Sequence, residues 1–282
     1  MTVLVIGATG NVGSAAVIGL RRRGASVRAF VRDPAVELPE GVEVAVGDLD
    51  DATSIRAALE GVDGVFLSSG DGPNKVAQES AVIDAAADVA LIVKASTLGA
   101  RPGSPLPGLD WNGRIEEHLR RSGVPSVVLA SGFYMTNLLA AAEPVRAQGI
   151  LPAPAGNGRV AMIDPRDVGE VGAAVLTGSG HEGRTYRLTG PVAVGYADIA
   201  ATLGVAYVDV PPADAHEGLV AAGLPDWLVD QLDGAFALIR DGALEETTDC
   251  VRVLTGREPR SFAEFARDHA AAFAPVAGST RP

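Results

Sequence analysis

A stretch of seven residues near the start limits what this chain can fold into. Directly after the run Val3-Leu4-Val5-Ile6 stands Gly7-Ala8-Thr9-Gly10-Asn11-Val12-Gly13, and a helical stretch from about Val12 to Arg23 follows at once. Three glycines alone carry little weight in a chain that holds 34 of them. A strand before and a helix after make the spacing specific, because that is the first turn of a parallel βαβ unit. Glycine serves there for the tight turn, for close approach of backbone to an anion, and for packing helix on strand. The helix N-terminus adds free N–H groups and positive dipole, so Gly7, Thr9, Gly10, Asn11 and Val12 are expected to hold a pyrophosphate.

The rest of the first half continues that rhythm. Apolar runs at Ser26 to Val31, Val42 to Val46, Gly64 to Leu67, Ala90 to Val93 and Ser126 to Leu129 alternate with helical stretches. Those stretches are about Asp51 to Leu59, Lys75 to Ala87 and Asn112 to Ser122. Near-continuous apolar strands fit a sheet covered on both faces, which predicts a doubly wound α/β domain with a parallel sheet, a Rossmann fold. Beyond Gly132 the rhythm breaks. Gly149 to Gly158 reads as a loop, a helix opens at Asp164-Pro165 and runs through Leu176, and strands are expected at Thr185 to Leu188 and Ala206 to Val210. Helices are expected at about Tyr196 to Leu203, Asp214 to Ala222, Pro225 to Asp241 and Ser261 to Phe273, ahead of a frayed tail. The expected division is a nucleotide-binding domain over 1–150, with 159–189 returning to it, and a smaller, mainly helical substrate part or lid over 190–282.

Charge excludes some partners. The 35 acidic residues exceed the 23 basic ones, and the net charge of -12 repels phosphate backbones and anionic membranes. No apolar run reaches the length of a membrane helix. One cysteine, Cys250, and four scattered histidines give neither a disulfide framework nor metal-ligand spacing. The expectation is a cytoplasmic protein with no nucleic-acid partner, no membrane and no metal; its oligomeric state is left open.

The second strand ends in Val31-Arg32-Asp33, where an acid would bind an adenosine ribose and an arginine a 2′-phosphate. Arg32 comes first and Asp33-Pro34 suits a turn, which favours NADP(H) over NAD(H). Ser96 follows the fifth strand, at the sheet end where open α/β sheets bind ligands, and is placed to hydrogen-bond a substrate carbonyl or to cap the next loop. Lys94, two residues earlier, reads as a solvated strand-edge lysine. Phe133, Tyr134, Met135 and Asn137 follow the sixth strand as an aromatic wall or as core. In the late helices Trp227, Leu228, Leu232, Phe236 and Ile239 recur near helical spacing and pack inward, with an edge available to a substrate. Asp50, Asp51, Asp164 and Asp167 read as helix caps, His181 as an exposed turn residue, and Cys250 as no nucleophile.

Taken in order, these motifs resemble the NmrA-like atypical short-chain dehydrogenase/reductase family, which includes NADP-dependent quinone reductases. The likeness runs from the glycine turn through Val31-Arg32-Asp33, Gly47-Asp48-Leu49-Asp50, Glu116 with Ser122-Gly123-Val124-Pro125, and Gly132-Phe133-Tyr134-Met135-Thr136-Asn137. It ends with Asp164 to Val168 and Gly183 to Gly190. The resemblance implies that Asp48 and Leu49 border the adenine, Ser68 and Ser69 the middle of the cofactor, and Ser96, Gly132 and Phe133 its nicotinamide end. Position after the sixth strand and on the late helices gives the expected substrate side as Phe133, Tyr134, Asn137 and Trp227. Two departures stand out. None of Tyr134, Tyr186, Tyr196 and Tyr207 is followed four residues later by lysine, and the slots similar to the usual Tyr-x-x-x-Lys hold Gly108 and Asn112. Leu129-Ala130 also stands where many relatives carry an arginine. The expected function is NADPH-dependent hydride transfer to a ketone or quinone carbonyl of a bulky, apolar or aromatic, polyketide-like substrate, with the proton from solvent or from the substrate. The alternative is a non-catalytic NAD(P) redox sensor acting on a protein partner.

Overall fold

The computed structural model describes residues 1–275; the tail expected to fray lies outside them. In chain order the elements are β1 (Thr2–Ile6), α1 (Asn11–Arg22), β2 (Ser26–Val31), β3 (Glu43–Val46), α2 (Ala52–Leu59), β4 (Gly64–Leu67), α3 (Lys75–Ala85), β5 (Leu91–Thr97), α4 (Pro107–Ser122) and β6 (Ser126–Ser131). There follow a 3-10 turn (Met135–Ala141), α5 (Ala142–Gln148), β7 (Ile150–Ala153), β8 (Arg159–Val160), α6 (Pro165–Thr177), β9 (Thr185–Leu188), β10 (Val194–Gly195), α7 (Tyr196–Leu203) and β11 (Ala206–Asp209). The last elements are α8 (Pro212–Ala221), α9 (Asp226–Arg240), α10 (Cys250–Thr255), α11 (Phe262–Asp268) and α12 (Ala270–Phe273).

The described residues form two compact units, one of Met1–Ser131, Pro165–Leu188 and Cys250–Arg257, the other of Gly132–Asp164, Thr189–Asp249 and residues 258–275. The first division therefore falls after Ser131 and not near 150, and a short segment at α10 rejoins the first unit. That unit is a seven-stranded parallel sheet in the order β3-β2-β1-β4-β5-β6-β9. Alternation along the central strands separates its two layers. Leu4, Ile6, Val65, Leu67 and Ile92 join Ile55, Val82, Ile83, Ile115 and Leu119 in one core with α2, α3 and α4. Phe66 points to the other layer, where a Cβ on Gly172 of α6 would come within 2.2 Å of its ring. There α6 crosses α1 on small residues: a Cβ on Gly169 would lie 2.6 Å from both the Ala15 Cβ and the Ala16 nitrogen. A larger residue at 169 would part the helices, and overpacking of this sort costs about 1–3 kcal/mol.

The second unit pairs β7 with β11 and β8 with β10 around a core that includes Met135, Leu138, Val145, Leu151, Tyr196, Ile199, Ile239, Phe262 and Phe265. Three local expectations need correction. The Gly149 to Gly158 segment is not all loop, because Ile150–Ala153 pairs in parallel with β11; Pro152 is tolerated in a two-stranded sheet where both strands are edges. The last helix breaks at His269 into α11 and α12. β5 runs on to Thr97, so Ser96 lies within the strand, paired in register with Ala130 of β6.

Candidate active site

The expected site residues of the first unit fall at the carboxyl ends of five strands that are neighbours in the sheet. Asp48 and Leu49 follow β3, Arg32 follows β2, the glycine turn follows β1, Ser68 and Ser69 follow β4, and Ser96 is the last residue but one of β5. At roughly 4.8 Å between strands this row spans about 19 Å, the reach of an extended dinucleotide. The order reverses between β1 and β4, which is the switch point where such sheets bind ligands.

The turn itself owes its shape to glycine. Gly7 has φ +74°, and a Cβ there would lie 1.8 Å from the Ser68 carbonyl oxygen. A Cβ on Gly13 would lie 2.1 Å from the Gly7 oxygen, which explains the third glycine as helix packing. Gly10 differs. It is exposed at the N-cap of α1, and a Cβ would meet only the Gly7 oxygen at 3.3 Å. No side chain caps this helix and no acid stands in its first turn, so its N–H groups are left for a ligand. A pyrophosphate fits these residues. Thr9, Asn11, Arg32 and Asp48 are exposed, while Val12 is buried beneath the turn.

The sequence misread the other wall. Lys94 is fully buried, not solvated. It points into the α2–α4 layer, and its Nζ lies 2.9 Å from Asn112 Oδ1 and 3.2 Å from Glu79 Oε2. The latter contact is an ion pair without hydrogen-bond alignment. Glu79 is also fully buried; its Oε1 accepts from the Ser69 hydroxyl at 2.6 Å and the Ser69 N–H at 3.2 Å. Lys75 Nζ comes within 3.4 Å of the same Oε1, 3.2 Å of Asp71 and 3.0 Å of the Ser69 carbonyl. The only two lysines of the chain thus converge on one carboxylate. Burial pushes Glu79 toward protonation, but Lys94, Lys75 and the Ser69 hydrogen bond outweigh it and hold the carboxyl below its ordinary range. Burial lowers Lys94, whereas Lys75 is also opposed by burial yet raised overall by Glu79 and Asp71. This cluster pins the Ser68-Ser69 segment from behind, while the bare Gly7 lets Ser68 approach from the front. One signal in the sequence pointed to it: a lysine in the middle of an apolar run belongs to a strand covered on both faces.

Asn112, in the slot similar to the family's lysine, is buried, and its Nδ2 donates to the Gly108 carbonyl at 2.9 Å. Ser96 is 4% exposed; its hydroxyl bonds to Glu116 Oε1, and its carbonyl accepts from Ser131 Oγ at 2.9 Å. Burial pushes the Glu116 carboxyl up, against the Ser96 bond and the Lys94 charge.

The remaining candidates belong to the second unit. Gly132, Phe133, Tyr134 and Trp227 are half-buried there and Asn137 is exposed. Phe133 packs against Phe236 of α9 with centroids 6.4 Å apart, and Phe236 meets Tyr196, which meets Tyr207. Burial raises both tyrosines, Tyr207 to about 12. Asp51 caps α2 by accepting from the Thr53 N–H, as the cap reading holds. His181 is not free in a turn: it is half-buried and bonded to the Tyr186 hydroxyl at 2.8 Å. Among the described residues no helix is long and apolar enough to cross a membrane.

With this arrangement in view, the comparisons decide the family. The NmrA-like family model matches residues 1–194. The chain belongs to the NmrA-like family. It is 38% identical to an NAD(P)H azoreductase of Xenophilus azovorans over 96% of this chain and 99% of that one. It is 34% identical to a (4-alkanoyl-5-oxo-2,5-dihydrofuran-3-yl)methyl phosphate reductase of Streptomyces griseus, over 97% and 99% of the two chains. Among solved structures it is similar to the Escherichia coli NADPH-dependent quinone oxidoreductase QOR2 in complex with NADPH. That likeness has a TM-score of 0.84 at 30% identity and covers 95% of this chain and 99% of the other.

Proposed function

We propose that this NmrA-like protein is an NAD(P)H-dependent reductase that prefers NADPH and reduces a conjugated, electron-poor double bond of a bulky, largely apolar small molecule. The observation that carries the reading is the row of site residues along β3-β2-β1-β4-β5, with the uncapped N-terminus of α1 at its centre. Gly7, Thr9, Gly10, Asn11 and Val12 hold the pyrophosphate, Arg32 the 2′-phosphate, Asp48 and Leu49 the adenine side, and Ser68 and Ser69 the middle. Ser96, Gly132 and Phe133 serve the nicotinamide end. The names of the relatives support the substrate class: a quinone, an azo bond and a furanone ring share a polarised π bond that accepts hydride. A ketone or quinone carbonyl on an aromatic, polyketide-like molecule belongs to the same class. When bound, the reduced cofactor supplies that hydride.

The chain's own residues do the rest. Ser96 offers a hydroxyl to the atom that gains negative charge, where a single oriented donor is worth roughly 2.7–4 kcal/mol. Phe133, Tyr134, Asn137 and Trp227 are assigned to the acceptor. No Tyr-x-x-x-Lys acid takes part, since Gly108 and Asn112 stand in those slots. The test is loss of NADPH absorbance with a panel of quinones, azo dyes and polycyclic ketones, beside NADPH and NADH affinities by calorimetry. Turnover with tighter NADPH binding is expected. Tight binding with no turnover on any acceptor would return the sensor reading.

A further inference from the structure

The Ser96 hydroxyl is bonded to a carboxyl group, and that carboxyl group has a second face. Glu116 sits on α4 with Oε1 on Ser96 Oγ. It also lines a cavity of about 640 Å3 open to solvent, whose walls include Arg101, Gly113, Arg120, Arg184 and Thr185. Ser96 itself is buried, so water does not reach its hydroxyl freely. A serine that gives up its proton to a substrate needs one back in the same event, because the alkoxide left behind is far too basic to persist. Here one side chain both bonds the hydroxyl and lines the solvent-open cavity.

We propose that Glu116 is the proton reservoir of Ser96, so that protons pass from the solvent cavity to Glu116, from Glu116 to Ser96 Oγ, and from Ser96 to the reduced acceptor. The proposal rests on the reductase reading. The acceptor gains a hydride at one end of its double bond, and the π pair moves to the other end. That atom takes the Ser96 hydroxyl proton, Ser96 Oγ takes the Glu116 carboxyl proton, and the carboxylate regains a proton from water. The sum is one hydride and one proton added to the acceptor, with enzyme groups unchanged.

The surroundings favour the protonated carboxyl. Burial raises Glu116. Lys94 from β5 acts on it and opposes that rise, and the same cavity is lined by Arg101 from the β5–α4 loop, Glu117 and Arg120 on α4, and Arg184 ahead of β9. The alternatives are worse donors. Lys94 is sealed among Asn112 and Glu79, and Tyr196 is buried with its hydroxyl raised.

The decisive variant is Glu116→Gln, which keeps the shape and the hydrogen bond to Ser96 but has no proton to give. In the wild type, kcat is expected to fall as pH rises through the Glu116 pKa, because the protonated carboxyl is the active form. In Glu116→Gln that limb flattens and kcat falls by about 10²-fold, with NADPH affinity and Tm unchanged. Glu116→Asp restores part of the rate and the limb. Adding Ser96→Ala to Glu116→Gln should cost little more than either change alone, since both break one relay. A second readout needs no turnover: infrared titration of the protein without cofactor should show a protonated-carboxyl band that persists above the ordinary carboxylate range and vanishes in Glu116→Gln. Should that variant fail to fold, the wild-type titration decides, with Glu116→Asp moving the band. An unaltered pH limb in Glu116→Gln, or no such band in the wild type, overturns the relay while leaving the reductase intact. A wild type that oxidises no NADPH with any acceptor ends both.

Discussion

The two units solve the problem of placing functional groups in different ways. In the first, position follows from backbone: glycines without a Cβ, a helix start without a cap, and hydroxyl residues at strand ends, backed by the buried charges of Glu79, Lys75 and Lys94. In the second, the candidates Phe133, Tyr134 and Trp227 are aromatic and half-buried, and Phe133, Phe236, Tyr196 and Tyr207 form a chain of tilted rings. Backbone demands leave a sequence signature because few residues satisfy them. Aromatic packing leaves little, since the same ring serves a core or a ligand.

The largest expected effect separates the glycines of one turn. Gly13→Val should prevent folding, since its Cβ would lie 2.1 Å from the Gly7 carbonyl oxygen. Gly10→Val should fold with an unchanged circular dichroism spectrum and show no nucleotide binding by calorimetry, because the side chain occupies space meant for the anion. Retained affinity in a folded Gly10→Val protein would remove the phosphate site from this turn.

Breaking the buried cluster comes next. Lys94→Met removes one of the two cations that face Glu79, and truncating one partner of a buried ion pair typically costs about 3–5 kcal/mol. Urea unfolding should show that loss, and NADPH affinity should weaken with it as the Ser69 segment loosens. A change below about 0.5 kcal/mol, the size of ordinary surface substitutions, would mean that the cluster is idle.

The glycine turn and the parallel sheet were legible because each rests on spacing along a few consecutive residues. The Glu79–Lys94 pair was not. It depends on β5 lying beside β4 with α3 above them, and the fold alone brings Lys94 to a residue 15 positions earlier. Ser96 and Glu116 each stand in a legible motif, but their hydrogen bond spans 20 residues, and spacing alone does not join them. In the second unit the prolines of Gly149 to Gly158 hid β7, whose partner β11 begins more than 50 residues later.

Smaller effects test the division of labour between the units. Arg32→Ala should weaken NADPH relative to NADH by about 1.5–3 kcal/mol, the range for a charge-assisted hydrogen bond. Equal losses for both cofactors would reduce Arg32 to a supporting residue. Trp227→Ala in the second unit should raise KM for the acceptor about tenfold, or about 1.4 kcal/mol, while NADPH affinity stays put. A fall in NADPH affinity instead would show that Trp227 does not serve the acceptor.

The smallest effect contrasts two ion pairs. In the first unit Glu79 is sealed with its partners, and its lowered pKa contributes stability above the ordinary carboxylate range that is lost only as pH falls through the lowered value. In the second unit His216 of α8 and Asp233 of α9 meet at 2.6 Å on the surface. The hydrogen bond to Asp233 raises His216 above its ordinary 6.5, with Asp230 and Glu217 adding to the rise. A raised histidine stabilises the folded form fully below that ordinary value, and the contribution fades as pH climbs through the raised one. His216→Gln should therefore lower Tm slightly at pH 5.5 and leave it unchanged at pH 8.5, with the difference shrinking in high salt because the pair is exposed. A Tm loss of the same size at both pH values would assign the effect to packing of the α8–α9 hairpin and not to the charge on His216.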